Sequence, residues 1–416
     1  MVGAGVAGLT AAYLIQQHHE VTLFEKNGYF GGHTHTVLIE DGPDAGTPVD
    51  TGFIVFNDRN YPLFQKLLAG LGLQGRSSDM SFGFSSEADG LEYSSYVPRG
   101  LLAQRRNLLR PAFWRMVADI LRFNRKALED LREDRLGEIP LGAYLETGRF
   151  GKAFRDYYLI PMGAAIWSTP LAGMLDFPAQ TFIRFFDNHG LLALSGRPRW
   201  MTVPGGSRTY VKALLERFRG SLEKNAAIAS IRRDRDGVTV RTADGRQSRH
   251  DYVVIAAHAD EALRMLADPG EEEKRYLGAW TYTRNHTVLH TDASAMPGRR
   301  AAWASWNYRI EEPRNPARPV TLTYHMNRLQ GLQTEKEYFV TLNRDKSFAP
   351  GTVLREIEYT HPAYTTASPL AQSGVRGLNG QNRTFFCGSY LGYGFHEDAV
   401  KSAVEAARCF GGELEP

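Results

Sequence analysis

The 416-residue chain is 43% hydrophobic and 23% charged with a formal net charge of +3, an ordinary globular composition with enough length for two domains that each bury a core. Its two cysteines, Cys387 and Cys409, are too few for a disulfide framework and fit a reducing compartment. The mild charge argues against a nucleic-acid partner, and no apolar run of about eighteen residues and no leader ahead of Gly3 is visible, so a cytoplasmic protein is expected.

Only Met1 and Val2 precede Gly3-Ala-Gly5-Val-Ala-Gly8, so the first strand of a dinucleotide-binding unit is expected to be cut short. Gly3, Gly5 and Gly8 suit a strand that turns sharply into a helix and brings bare backbone against a pyrophosphate. The helix starting near Gly5 aims free amides at the phosphates. Glu20 to Glu25 reads as the second strand, ending in a carboxylate for two ribose hydroxyls, and Gly31-Gly32 then favours FAD.

Residues 56–200 look mainly helical. Within them Phe113, Val117, Ile120, Leu128 and Leu131 recur at steps of three and four, with Arg115, Asp119, Arg122, Lys126 and Glu129 opposite, predicting an amphipathic helix over 113–131. Residues 99–110 interleave leucines with arginines and contain no acid, a composition suited to anionic lipid or to a solvated helix face. Over 201–262, Val238–Thr242 and Tyr252 to Ala256 read as a strand pair flanking the Asp244-Gly245 turn. Residues 263–374 look mainly stranded, and Glu311 to Pro319 reads as a loop. The expected class is α/β. A Rossmann-like FAD domain is assembled from residues 1–55, 201–262 and 375–416, and an inserted α+β substrate domain from 56–200 and 263–374.

Together with Val49-Asp50-Thr51-Gly52, Pro204-Gly205-Gly206, Cys387-Gly388-Ser389 and Gly392-Tyr393-Gly394-Phe395-His396-Glu397, these motifs resemble the flavin amine oxidase and phytoene desaturase superfamily. Gly31 to Thr36, Ile160 to Ser168 and Gly394 to Asp398 are similar to a bacterial subgroup of FAD-dependent desaturases that act on methyl-branched acyl chains in furan fatty acid formation. The resemblance implies that the amides around Gly388 and Gly394 approach the diphosphate, ribityl chain and flavin edge, with Ser389 on a ribityl hydroxyl and a helix starting near Phe395 and His396. Two positions depart from many relatives, which carry an acid at Ser389 and an arginine at His33. No lysine is placed to serve as the amine oxidases' flavin-facing lysine.

A flavin accepts hydride itself, so the protein has to hold a C–H bond over the ring and exclude water. Candidate walls are Tyr157, Tyr158, Met162 and Trp167 from the helical insert, with Trp303, Trp306, Tyr308 and Tyr324 from the stranded one; for any single one of them core packing is the favoured reading. Desaturation also releases a proton, for which His361, Tyr364, His325 and Tyr158 are the candidate acceptors. The twelve histidines lack metal-site spacing, and nothing requires His33 or His35 to bind flavin covalently. The expected activity is hydride abstraction from a lipid acyl chain, with redox-neutral isomerisation, amine oxidation and a flavin-free carrier as the competing readings.

Overall fold

The computed structural model describes residues 1–137, 139–167, 171–193, 195–311, 321–365 and 367–414, without the side chain of Ala172. Ser168 and the loop expected over 312–319 lie outside the described residues.

A parallel layer forms the base. Ser221–Glu223 pairs with Thr22–Phe24, and Val253–Ile255 pairs with Thr384–Phe386. The central position between them is held by Val2 alone, through single bridges to Phe24 and Ile255. Side chains alternate across this layer as strand geometry demands. Leu23, Val254 and Phe385 pack against the helices Val6–Ile15 and His396–Arg408. Phe24, Val253, Ile255 and Phe386 face Ile231, Val238 and Val240 of an antiparallel sheet on the other side.

That sheet corrects the expected strand pair. Val238–Thr242 pairs with Ile228–Arg233 and, across Asp244-Gly245, with Gln247–His250. Val253–Ile255 leaves for the parallel layer instead, because all three of its residues are buried and need cover on both faces.

The second unit is a seven-stranded sheet in the order Val353–Ala363, Thr281–His290, Phe339–Leu342, Thr321–His325, Trp306–Ile310, Phe82–Ser86, Leu91–Ser94. Its last two strands come from the stretch expected to be mainly helical. Phe82–Ser86 joins through a parallel ladder to Trp306–Ile310, and Phe84 stacks on Tyr308 with ring centroids 5.9 Å apart.

The helices Pro111–Arg132, Leu141–Thr147, Ile160–Trp167 and Ala179–Asn188 cover one side of this sheet. Pro111–Arg132 occurs where the periodicity places it, and Phe113, Met116, Phe123 and Ala127 are buried along one stripe. Asp119, expected on the solvent side, is buried because it accepts the Gly151 amide (2.9 Å) and pairs with Arg122 (2.8 Å). Among the described residues no helix is long and apolar enough to cross a membrane.

Phe123 is fully buried against Tyr144, Phe150 and Phe154. Phe123→Ala is expected to lower the unfolding free energy by about 3–5 kcal/mol, read by urea denaturation.

Candidate active site

The C-terminal ends of the parallel strands all open on one cavity of about 1740 Å³. Gly3-Ala4-Gly5 follows Val2, Glu25 follows Thr22–Phe24, Ala256-Ala257-His258 follows Val253–Ile255, and Gly388-Ser389 lies just past Thr384–Phe386. Sheets of this kind bind ligands at that edge, because strand ends there present free backbone and helix starts.

Two of the three fingerprint glycines are required by protein contacts. A Cβ on Gly3, whose φ is +92°, would sit 2.7 Å from the Ala256 carbonyl oxygen, and one on Gly8 would sit 1.9 Å from that of Gly3. At Gly5 an added Cβ meets no protein atom within 4 Å, and the residue lines the cavity. Gly5 is thus where bare backbone faces the space left for a phosphate. Gly31 donates its amide to the Ala4 carbonyl (2.8 Å), which sets the glycine pair Gly31-Gly32 against this turn. The Glu25 carboxylate accepts from the Ala4 amide (2.9 Å) and the Asn27 amide (2.9 Å), and is fixed at the cavity's edge. The cradle, the carboxylate and the adjoining space fit an extended dinucleotide.

At the other end, Gly388, Ser389, Gly394, Phe395 and His396 also line the cavity. The amides of Gly388 and Gly394 depart from expectation. The first donates to Ser402 Oγ (2.9 Å) and the second to the Ser389 carbonyl (3.1 Å). Both are committed inside the protein, so these glycines bring backbone surface to the cavity. An added Cβ on Gly394 would stand 2.9 Å from Tyr364 Oη.

The last helix begins at His396 with Phe395 as its cap residue, as the resemblance implies. His396 stacks on Phe53 at 3.5 Å, and its Nε2 is 3.0 Å from both Thr34 Oγ1 and Tyr210 Oη. Burial holds its imidazole down to about 3, hence neutral at a helix start. Glu397 accepts the amides of Leu63 and Phe64 (both 2.9 Å), capping the helix Pro62–Gly70, and burial pushes its carboxyl up to about 7.

The far end of the cavity is aromatic and aliphatic. Tyr158, Met162 and Ile166 line it at four-residue spacing, beside Trp167, Phe185, Trp306 and Tyr324. Trp306 and Tyr324 are register partners on adjacent strands, with rings 4.9 Å apart.

Five aromatic or imidazole residues singled out in the sequence fall elsewhere. His325 succeeds Tyr324 on the same strand and therefore points to the opposite face, packed between Trp303 (5.6 Å) and Phe339 (5.3 Å). Trp303 donates to the Pro297 carbonyl (2.7 Å) on that same face. Tyr157, one position from Tyr158, turns toward Phe84 (5.6 Å), and Tyr308 is buried behind it. His35 stacks on Tyr29 at 4.5 Å, and its Nδ1 lies 3.0 Å from Tyr359 Oη.

Hydrogen bonds fix the tautomers of two histidines in the cavity wall. The His286 backbone amide donates to Asn343 Oδ1 (3.0 Å), so Asn343 Nδ2 donates to Asn285 Oδ1 (2.8 Å). Asn285 Nδ2 then donates to His361 Nδ1 (3.0 Å). This one-way chain makes Nδ1 the acceptor and puts the ring proton of His361 on Nε2. His361, expected to accept a proton, instead presents a donor.

His33 is set the other way. Its Nε2 lies 3.1 Å from the Thr360 carbonyl, which only accepts, so the proton sits on Nε2 and Nδ1 carries the lone pair. The two rings are 5.3 Å apart. Burial holds His361 down to about 4 and His33 well below the usual imidazole range. Burial also pushes Tyr158 up to about 12 and Tyr364 well above the usual phenol range, so both are neutral phenols rather than bases.

Phe185, His189, Leu191, Phe53, His258 and Tyr393 line the cavity without having been anticipated. His258 had a legible signal, since it stands just beyond a buried strand end. Among the described residues no group of three or more His, Cys, Asp or Glu side chains is placed to hold a metal.

Gly8→Ala is expected to cut bound flavin per purified chain by roughly tenfold or more, read as visible absorbance, because the new Cβ displaces the turn. The unfolded chain protonates histidine near pH 6.5, whereas buried His396 stays neutral down to about 3. The contribution of this group to stability is therefore full above about pH 6.5 and falls as the solution is acidified toward about pH 3. Between about pH 6.5 and 5 this one group accounts for roughly 2 kcal/mol, and His396→Gln should flatten the corresponding slope of melting temperature against pH.

Comparison with known proteins agrees with this geometry. The sequence profile of the family described as flavin containing amine oxidoreductase matches residues 6–291. A Mycobacterium tuberculosis protein carrying the name of a flavin-containing monoamine oxidase is 27% identical over 277 residues, 65% of this chain. The chain covers 58% of that relative's length. Among solved structures, a CLA-producing fatty acid isomerase from P. acnes superposes with a TM-score of 0.68 at 18% identity, covering 98% of this chain and 97% of its own. A putrescine oxidase bound to putrescine superposes with a TM-score of 0.69 at 14% identity over the same shares. These likenesses establish the fold, and the family match makes the chain a member of the flavin-containing amine oxidoreductase family, with a glycine cradle that fits FAD.

Proposed function

We propose that this enzyme abstracts hydride from a lipid acyl chain and desaturates a methyl-branched or unsaturated acyl group, with the electrons passing to oxygen or another acceptor. The supporting observation is what stands beside the aromatic wall. Arg197 lines the cavity within electrostatic reach of Tyr158, and Arg199 lies two residues further on. A cation there suits the anionic head of an acyl lipid and disfavours an ammonium group. Lys26 is the only lysine among the described lining residues, and its Nζ pairs with Glu261 (2.6 Å) at the ribose end. The cavity also exceeds the ~300–1,000 Å³ typical of a single small-ligand site, leaving room for a chain beside the dinucleotide.

FAD, when bound, supplies the hydride acceptor. Tyr158, Met162, Ile166, Trp167, Trp306 and Tyr324 hold the chain and exclude water. His33 Nδ1 takes the proton that leaves the neighbouring carbon, and His361 Nε2–H orients a polar group of substrate or cofactor. A second reading, amine oxidation, draws support from the name of the Mycobacterium tuberculosis relative.

The purified enzyme incubated with methyl-branched or unsaturated phospholipid is expected to yield a product lighter by one pair of hydrogen atoms, detected by mass spectrometry. An unchanged mass with a moved double bond assigns isomerisation instead. Peroxide release from primary amines or polyamines, with no lipid product, assigns amine oxidation. His33→Asn should lower kcat by about 100-fold or more throughout the neutral range, where the buried His33 stays unprotonated, whereas Tyr364→Phe should lower it by less than about tenfold.

A further inference from the structure

We infer that residues 96–125 form a docking face for an anionic phospholipid bilayer, which feeds acyl chains into the cavity past Leu101 and Ile120. The docking part stands on this surface alone; the feeding part rests on the acyl-chain reading above.

The charge is one-sided. Between Glu92 and Asp119 the sequence has Arg99, Arg105, Arg106, Arg110 and Arg115 and no acidic residue. Among the described residues none of these arginines forms an ion pair with an acidic side chain, and Arg99, Arg105 and Arg115 are exposed. Exposed arginines elsewhere on the chain include several that acids in the surrounding sequence match, as in Arg249 with Asp234 and Arg264 with Asp260. A run of guanidinium groups with no acid among them suits a partner that brings dense negative charge.

The same face carries apolar side chains that no neighbour covers. Leu109 is 86% exposed, Val97 77%, Leu121 51% and Trp114 44%. Trp114 and Leu121 are seven residues apart on Pro111–Arg132 and so share one side of that helix. Trp114 Nε1 donates to the Leu108 carbonyl (3.0 Å), which ties the indole to the short turn Arg105–Leu109 where Leu108 and Leu109 project. Arginine at phosphate level with leucine and tryptophan among the acyl chains is the pairing an interfacial segment requires. Nucleic acid satisfies the charges and leaves the leucines in water.

The face is continuous with the cavity. Leu101 and Ile120 line it from the same two segments, and Ile120 is the direct neighbour of exposed Leu121. A chain leaving the bilayer here passes from one apolar surface to the next.

The test is co-sedimentation of the flavin-loaded enzyme with vesicles of phosphatidylglycerol and phosphatidylcholine, against vesicles of phosphatidylcholine alone, at about 0.05 M and about 0.3 M salt. Two variants accompany it, Arg99→Gln/Arg105→Gln/Arg115→Gln and Leu108→Ser/Leu109→Ser, with flavin absorbance and melting temperature checking their folding. The expected result is salt-sensitive binding to the anionic vesicles, weakened about 100-fold in the arginine variant and about tenfold in the leucine variant. Equal binding by both variants, no binding to anionic vesicles, or tighter binding to duplex DNA overturns the docking face. Turnover of detergent-dispersed acyl lipid is measured separately. Vesicle binding without such turnover removes the acyl-chain reading and leaves the docking face; turnover without vesicle binding does the reverse.

Discussion

The architecture depends on one crowded crossing of backbone. Gly3 lies so close to Ala256, Gly8 to Gly3, and Gly31 to the Thr34 carbonyl that side-chain bulk at these glycines cannot be accommodated, and the Gly31 amide is bonded to Ala4. That crowding draws residues near both ends of the chain and from its middle onto one edge of a thin parallel layer, and the dinucleotide site is the concave surface that results. Helix starts and bare peptide groups there offer the positive potential a pyrophosphate needs, and the Glu25 carboxylate is held at the cavity's edge by the amides of Ala4 and Asn27.

Past the cradle the site changes character. Its imidazoles are neutral because they are buried, and its phenols are neutral for the same reason. Neutral aromatic and aliphatic walls of this kind suit a hydrocarbon part of a substrate. What selectivity the site has for protons comes from hydrogen bonding. Thr360 holds one ring nitrogen of His33 as a donor, and the chain through Asn343 and Asn285 holds one of His361 as an acceptor. Two neighbouring histidines therefore present opposite functions to the same space.

The cradle was legible in the sequence because its demands are local: Gly3, Gly5 and Gly8 sit within one turn, and the carboxylate follows at the end of the next strand. The helix Pro111–Arg132 was legible from its 3.6-residue period, and the last helix only through the family resemblance. Other features depend on residues far apart in the chain. Alternation shows that Tyr324 and His325 face opposite ways but not which of them meets the cavity, and the ladder from Phe82–Ser86 to Trp306–Ile310 has no local sign. The tautomers of His33 and His361 are set by residues remote in sequence or on another strand, so composition could nominate histidines without assigning their roles. The buried Asp119 was misjudged because its partner, the Gly151 amide, comes from a loop beyond the helix.

The central claim is that a hydrocarbon, and not an amine, meets the flavin in this cavity. Anaerobic titration of the purified enzyme, followed through the visible absorbance of its flavin, tests that most directly. Bleaching by extracted bacterial phospholipid with no response to primary amines or polyamines is the predicted result. Bleaching by an amine, with the lipid inert, contradicts the account.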